Sequence, residues 1–266
     1  MDFKVKEKYD INDLIQIVRI LRSPDGCPWD KVQTHESIRK DFIEEVYEAV
    51  DAIDNKDVLH LREELGDVLL QVVFHSVIET ENNNFSFEDV ADEISKKMII
   101  RHPHVFGDVT ADTTEQVLRN WDEIKMKTHS QKDISEAMNS VSKTLPSLMR
   151  AEKLQKKAKR GGICKEKTTD IISEIKDRLD AVENSSDELR ETVIGELLFS
   201  VVKLSSNYNV DSEQSLYNAC NSFTDHFRAY EAAAQKNGID IQDSDTKVTN
   251  QLWKEIPNHK IGGNSK

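Results

Sequence analysis

The chain has 266 residues, of which 37% are hydrophobic and 32% charged, with only 9 Gly and 5 Pro; this length suits two domains, and the composition suits long amphipathic helices better than strands joined by turns. A formal net charge of −13 argues against sequence-independent binding to nucleic acid or anionic membrane, because both need a basic surface that displaces counterions. The opening MDFKVKEKYD has no apolar signal core, no run approaches the roughly 18 apolar residues of a membrane span, and Cys27, Cys164 and Cys220 are too scattered for a disulfide framework or a zinc site, so the expectation is a reduced, cytoplasmic protein.

Asp10 is placed to cap a first helix whose apolar positions Ile11, Leu14, Ile15, Val18 and Leu21 follow helical spacing. The loop from Ser23 to Asp30 holds two prolines, a glycine and Trp29, and Thr34 is expected to open the second helix, with the stripe Phe42, Val46, Ala49, Val50 and Ile53 running to a break near Asp54-Asn55. A third helix is expected from about Val58 to Thr80. Leu65, Leu69 and Val73 lie on one side of it and Leu70 and Phe74 almost opposite, which predicts burial on two sides, in the core and in a subunit interface. Ser86 caps a fourth helix through Ile100, with Glu88 and Asp89 favouring its positive end, and Pro103 stops it. A segment with Trp121 and Lys125 follows, then a polar stretch, His129 to Asp133, that reads as a linker. LPSLMRAEKLQKKAKRGG reads as a connecting helix, its Lys156, Lys157, Lys159 and Arg160 placed to complement the negative end of the dipole.

The halves resemble each other. Residues 44–73 match 173–202 without a gap, Gly66 falling on Gly195, Leu69 on Leu198 and Val72-Val73 on Val201-Val202, which reads as a tandem duplication of one helical unit. Where the first copy has Glu45, Glu48, Glu64 and Asp67, the second has Glu174, Asp177, Val193 and Glu196.

That first set carries the chemistry. At about 100° per residue, with Val46 taken as the centre of the apolar stripe, Glu45 and Glu48 fall on one edge of the second helix; with Leu65 as centre, Glu64 and Asp67 fall at the same angles on the third. Four carboxylates converging from antiparallel helices would repel one another unless a divalent cation sat among them, and Mg²⁺, which takes hard oxygen ligands together with substrate phosphates, is the natural candidate. Glu44 and Glu63 precede the two pairs and are either outer ligands, a water-activating base, or exposed helix charge. Lys97 and Arg101, one turn apart on the fourth helix, suit the charge on a departing pyrophosphate. The His-x-His of His102 and His104 reads as a helix-ending turn at Pro103 rather than as metal ligands. There is no phosphate-binding P-loop, dinucleotide fingerprint or nucleophile elbow, so an enzyme built on this chain works through metal and water.

At these residues the sequence resembles the MazG family. GCPWDKVQTHESI, EEVYE at 44–48, ELGD at 64–67, RHPHVFGD at 101–108, NWDEIK at 120–125 and LPSLMRAEKLQKKA at 145–158 stand in the family's own order over nearly the whole chain. The resemblance implies an all-α fold, a tandem pair of four-helix MazG-type domains, usually dimeric, hydrolysing NTPs or dNTPs between the α and β phosphates to NMP and pyrophosphate. It implies Glu45, Glu48, Glu64 and Asp67 as ligands of Mg²⁺ or Mn²⁺, with Glu44 and Glu63 close by, Lys97 and Arg101 on the phosphates, and Trp121 and Lys125 beside the nucleotide. The expected division is 1–128 for an intact domain, 129–162 for linker and connecting helix, and 163–266 for a second, degenerate domain. There Ser173 and Val193 replace acidic residues, and Ser222 and His226 stand where the fourth helix would carry Lys and Arg. Rival expectations are a narrower house-cleaning dNTP or dUTP pyrophosphatase and a non-catalytic nucleotide-binding helical regulator.

Overall fold

The computed structural model describes residues 3–111, 113–114, 116–117, 120–121, 124, 134–160, 166–242 and 244–256. The described residues are helical and contain no strand, as an all-α chain requires. No helix among them is long and apolar enough to cross a membrane. The chain divides into two compact units, Met1–His129 and Ser130–Lys266.

In the first unit α1 spans Ile11–Arg22. Asp10 accepts from the backbone of Asn12 and Asp13 while Asp13 bonds back to the Asp10 amide, closing a capping box. A single 3-10 turn, Asp30–Val32, interrupts the loop that follows. Gly26 is required there, because a Cβ would lie 2.3 Å from the carbonyl oxygens of Ile20 and Leu21. The second helix, α2, spans Arg39–Asp54, so it begins five residues after the expected Thr34. Residues 34–38 instead form turns in which the Ser37 amide donates to Thr34 Oγ1 and its hydroxyl to Gln33 Oε1. Local side-chain bonds of this kind compete with helical geometry.

α3 spans Val58–Glu81 and α4 Phe87–Arg101. Asp57 caps the first, and a Ser86–Asp89 capping box opens the second. Pro103 then starts a one-turn helix, α5, Pro103–Phe106, where its missing N–H costs nothing. The core gathers Ile15 and Val18 of α1, Ile38, and Val73, Phe74, Val77 and Ile78 of α3. Only the C-terminal half of α3 enters it. Val46, Leu65 and Leu69 are 43%, 55% and 40% exposed, so the stripe taken as the centre of the buried face is uncovered in the single chain.

Arg22 ties this unit together. Its buried guanidinium donates to both carboxylate oxygens of Glu81 at 2.9 and 2.8 Å and to the carbonyls of Asp30 and Gln33 at 2.7 and 3.1 Å, and it lies 5.1 Å over the ring of Phe74. One side chain thus fastens the loop to the ends of α1 and α3. Arg22→Ala strands two carbonyls and uncovers the ring, and is expected to destabilise the unit by about 2–3 kcal/mol in denaturant titrations followed by Trp29 fluorescence.

His35 and His75 stack with centroids 4.9 Å apart and Nδ1 atoms 2.6 Å apart, while His35 Nε2 meets Glu79 Oε1 at 2.5 Å. Only one of the facing nitrogens can carry a hydrogen. Burial, then the charge of His35, holds His75 below the usual histidine range. The unfolded chain therefore takes up a proton near the ordinary value of 6.5 that the folded chain resists, and stability present above that pH declines as pH falls through it. Thermal melts from pH 7.5 to 5.5 should show a smaller decline for His75→Gln than for the parent.

In the second unit, α6 spans Ile134–Asn139, α7 Ser147–Arg160, α8 Thr168–Asn184, α9 Asp187–Asn207, α10 Ser212–Lys236 and α11 Thr246–Glu255. The connecting helix α7 packs on α6, α9 and α10, so it is part of this unit's body. Gly161 and Gly162 lie outside the described residues. A small core of Tyr230, Ala234 and Leu252 joins α10 to α11, with Trp253 against it.

Candidate active site

The site is positioned by the pairing of α2 with α3. They are joined at 55–57, where Lys56 adopts a positive φ of 56° and Asp57 accepts from the amides of Leu59 and His60, both at 3.1 Å. So short a connection folds α3 back along α2, and the two helices pack closely. Small residues sit at the contact, Ala49 and Ala52 being 7% and 0% exposed, which lets the backbones approach and the acidic edges meet.

Carboxylate oxygens of Glu45, Glu48 and Glu64 all lie within 4.8 Å of one another. Glu64 is buried, 6% exposed, whereas Glu45 is half-buried and Glu48 exposed. Burial, followed by the charges of Asp67, Glu48, Glu64 and Glu44, pushes the Glu45 carboxyl above the usual carboxylate range. Glu64 is raised too, by burial first and then by the charge of Glu48, with His60 opposing and Asp67 adding to it. Asp67 belongs to the same electrostatic group but stands just outside the triad of converging oxygens. Together these groups form an oxygen-rich, charge-strained pocket that a small hard cation would relieve.

His60 was not singled out by the sequence reading. Its Nε2 lies 2.8 Å from Glu64 Oε1, one helical turn earlier, and this i, i+4 spacing is the signal that could have found it. Glu44 and Glu63 are exposed on α2 and α3, and only Glu44 acts among the leading influences on Glu45. Lys97 is exposed and Arg101 half-buried on α4, which packs on α3. Trp121 is half-buried with its ring 5.5 Å from that of His102, and Trp29 is 59% exposed. His102 Nδ1 donates to the Met98 carbonyl at 2.6 Å, which serves the helix end. Lys125 lies outside the described residues.

The matching place in the second unit is wired differently. Glu174, which aligns with Glu45, accepts from Lys203 Nζ at 2.7 Å, Ser200 Oγ at 2.8 Å and Arg178 Nε at 3.1 Å. Arg178 also pairs with Glu196, the counterpart of Asp67, and Lys203 reaches Glu166 at 2.8 Å. The hydrogen bond from Lys203, with those from Ser200 and Arg178, outweighs burial and holds Glu174 at about 2. Two fixed cations therefore neutralise the carboxylates that the first unit leaves facing one another.

The family-model match falls within the first unit. Residues 33–106, which contain the whole acidic cluster, match the family described as the MazG nucleotide pyrophosphohydrolase domain. The chain is 37% identical over 245 residues to the nucleoside triphosphate pyrophosphohydrolase/pyrophosphatase MazG of Thermotoga maritima, covering 91% of this chain and 94% of that one. It is 34% identical over 261 residues to the nucleoside triphosphate pyrophosphohydrolase of Escherichia coli K12, covering 94% and 98%. The similarly named protein of Mycolicibacterium smegmatis is 35% identical over 184 residues, 68% of this chain and 55% of its own. With both full-length relatives matched nearly end to end and the acidic motif intact, the chain belongs to the MazG family of nucleoside triphosphate pyrophosphohydrolases.

Proposed function

We propose that this chain cleaves nucleoside triphosphates, ribo- and deoxyribo-, between the α and β phosphates to NMP and pyrophosphate at the α2–α3 site of its first unit. The observation that carries the reading is the convergence of Glu45, Glu48 and Glu64 within 4.8 Å, with two of the three carboxyls pushed upward by burial and by one another. An all-carboxylate donor set of this size fits Mg²⁺ or Mn²⁺, with Glu45, Glu48, Glu64 and Asp67 as its ligands. Such an ion supplies neutralisation of phosphate charge and a more acidic water.

The chain's own residues do the rest. Glu45, Glu48 and the adjacent, exposed Glu44 are the carboxylates available to take a proton from the attacking water. Lys97 and Arg101 offer charge to the leaving pyrophosphate, and Trp121 offers an indole to the nucleotide base. Stacking on an indole tolerates any base and supports broad substrate use. The exposed side chains Val46, Val50, Ile53, Leu65 and Leu69 lie on the helices that build the site, and a second copy of the chain is the partner that covers them. Purified protein assayed against the eight common NTPs and dNTPs, with products resolved, tests this. NMP plus pyrophosphate, abolished by EDTA and restored by Mg²⁺, is expected; NDP plus phosphate, or turnover indifferent to EDTA, overturns it. Activity confined to one deoxynucleotide would favour the narrower pyrophosphatase.

A further inference from the structure

Glu64 is the most deeply placed of the three converging carboxylates, and the groups that α2 brings to it, Glu45 and Glu48, offer only acceptors when ionised. A donor comes from its own helix. His60 Nε2 lies 2.8 Å from Glu64 Oε1, and since an ionised carboxylate can only accept, the ring nitrogen donates. The residue that carries the ring is itself anchored. The Asp57 carboxylate that caps α3 accepts the His60 amide at 3.1 Å, so His60 enters the helix in a fixed register and its side chain reaches one turn forward. Two bonds in series thus run from the helix cap to the carboxylate cluster.

Packing does not account for the histidine. Its side chain is 45% exposed while that of Glu64 is 8% exposed, and holding an exposed side chain in one rotamer costs entropy that a surface ion pair scarcely offsets. The second copy shows what the position needs when the acidic set is broken. The register that pairs Glu44 with Ser173 sets His60 against Leu189 and Glu64 against Val193, and Leu189 is 59% exposed. Donor and acceptor are absent together, and an exposed apolar residue serves the start of the helix in the donor's place. The histidine therefore belongs with the carboxylate, not with the helix. A hydrogen bond to one oxygen fixes the rotation of a carboxyl group and with it the placement of both oxygens, which is how outer partners tune a metal-binding donor set.

We propose that His60 is a positioning residue of the carboxylate cluster: by holding Glu64 through Nε2 it sets the donor arrangement on which the affinity for a divalent cation depends. This rests on the reading of the cluster as a cation site. The sign of the effect separates orientation from charge. A positive group beside the cluster repels a cation, so if His60 acted through charge alone its removal would tighten binding; acting through orientation, its removal weakens binding.

Mn²⁺ titrated into the full chain without nucleotide, with the free ion followed by electron paramagnetic resonance, tests it. His60→Leu, the exchange already present between the two copies, is expected to weaken Mn²⁺ by at least about tenfold, the scale on which loss of an outer partner is felt. His60→Gln keeps an N–H donor at similar reach and should stay within about threefold of the parent. Turnover should split the same way, the Mg²⁺ concentration for half-maximal rate rising about tenfold in His60→Leu while kcat at saturating Mg²⁺ stays within about threefold. Mn²⁺ bound by His60→Leu as tightly as by the parent, or more tightly, overturns the proposal, whatever happens to the melting temperature in EDTA. So does His60→Gln as weak as His60→Leu, or a fall in kcat with both metal constants unchanged. Glu45→Gln keeps the two levels apart: affinity lost there but kept in His60→Leu spares the cluster and removes His60 alone, whereas a parent that binds no Mn²⁺ removes both.

Discussion

Glu45→Gln is expected to lower nucleoside triphosphate hydrolysis by at least about 100-fold, the scale on which loss of one charge-stabilising group at a reacting centre is felt, and at the same time to raise the melting temperature measured in EDTA. The two effects share one cause. Glu45 sits within 4.8 Å of Glu48 and Glu64, and its carboxyl is driven above the ordinary range by burial and four neighbouring acids. An isosteric amide removes one of the mutually repelling charges, so the protein without a cation relaxes, while the cluster loses the oxygen charge that a cation and its triphosphate need. A structural role predicts the reverse, with lower stability and activity lost only in proportion to unfolding. Pyrophosphate release with saturating Mg²⁺, paired with melts in EDTA, separates these outcomes. A Glu45→Gln protein that melts earlier than the parent and still turns over at the parental rate would remove the cluster from the mechanism.

Much of the fold was legible because helix ends are local chemistry. Asp10 and Ser86, read as caps from residue types before an apolar run, do cap their helices through bonds to residues two or three positions on; Asp57, which the sequence reading did not single out, caps α3 in the same way. The common phase of Glu45-Glu48 and Glu64-Asp67 was equally visible, since helical spacing fixes angle. What spacing cannot fix is which side of a helix another element covers. The angles were reckoned from Val46 and Leu65, which are exposed, whereas burial falls on Ala49, Ala52 and the far end of α3. The acidic edges meet even so, because the small alanines draw the helices together and the phase relation survives a change of reference. The late start of α2 was hidden by Thr34, whose hydroxyl serves a turn as readily as a helix. Ser173 and Val193 raised the expectation of a degenerate second copy, but the ion pairs around Glu174 were not visible in the sequence. Arg178 aligns with Ala49 and Lys203 with Phe74, positions that a motif comparison passes over, and only their placement in space shows them seated on Glu174.

That seating gives the second large expectation, which runs opposite to the first. Glu174→Gln should leave hydrolysis within about twofold of the parent, because no triad of bare carboxylates is found there among the described residues, and should destabilise the second unit by about 2 kcal/mol. The figure follows from a carboxyl held at about 2 against an ordinary 4.5, discounted because the side chain is 28% exposed. A carboxyl depressed in the folded state contributes stability that is complete above the unfolded value near 4.5 and disappears as pH falls through that value toward about 2. Acid melts of the parent should therefore lose the second unit's transition across this window, and the variant should change less there. Glu45 and Glu64 carry the opposite sign, since their raised carboxyls are relieved, not strained, by protonation. The same aligned position, Glu45 in one copy and Glu174 in the other, thus stabilises one unit as an anion and burdens the other. If Glu174→Gln cost as much turnover as Glu45→Gln, the ion pairs around it would be holding a working site, not standing in place of one.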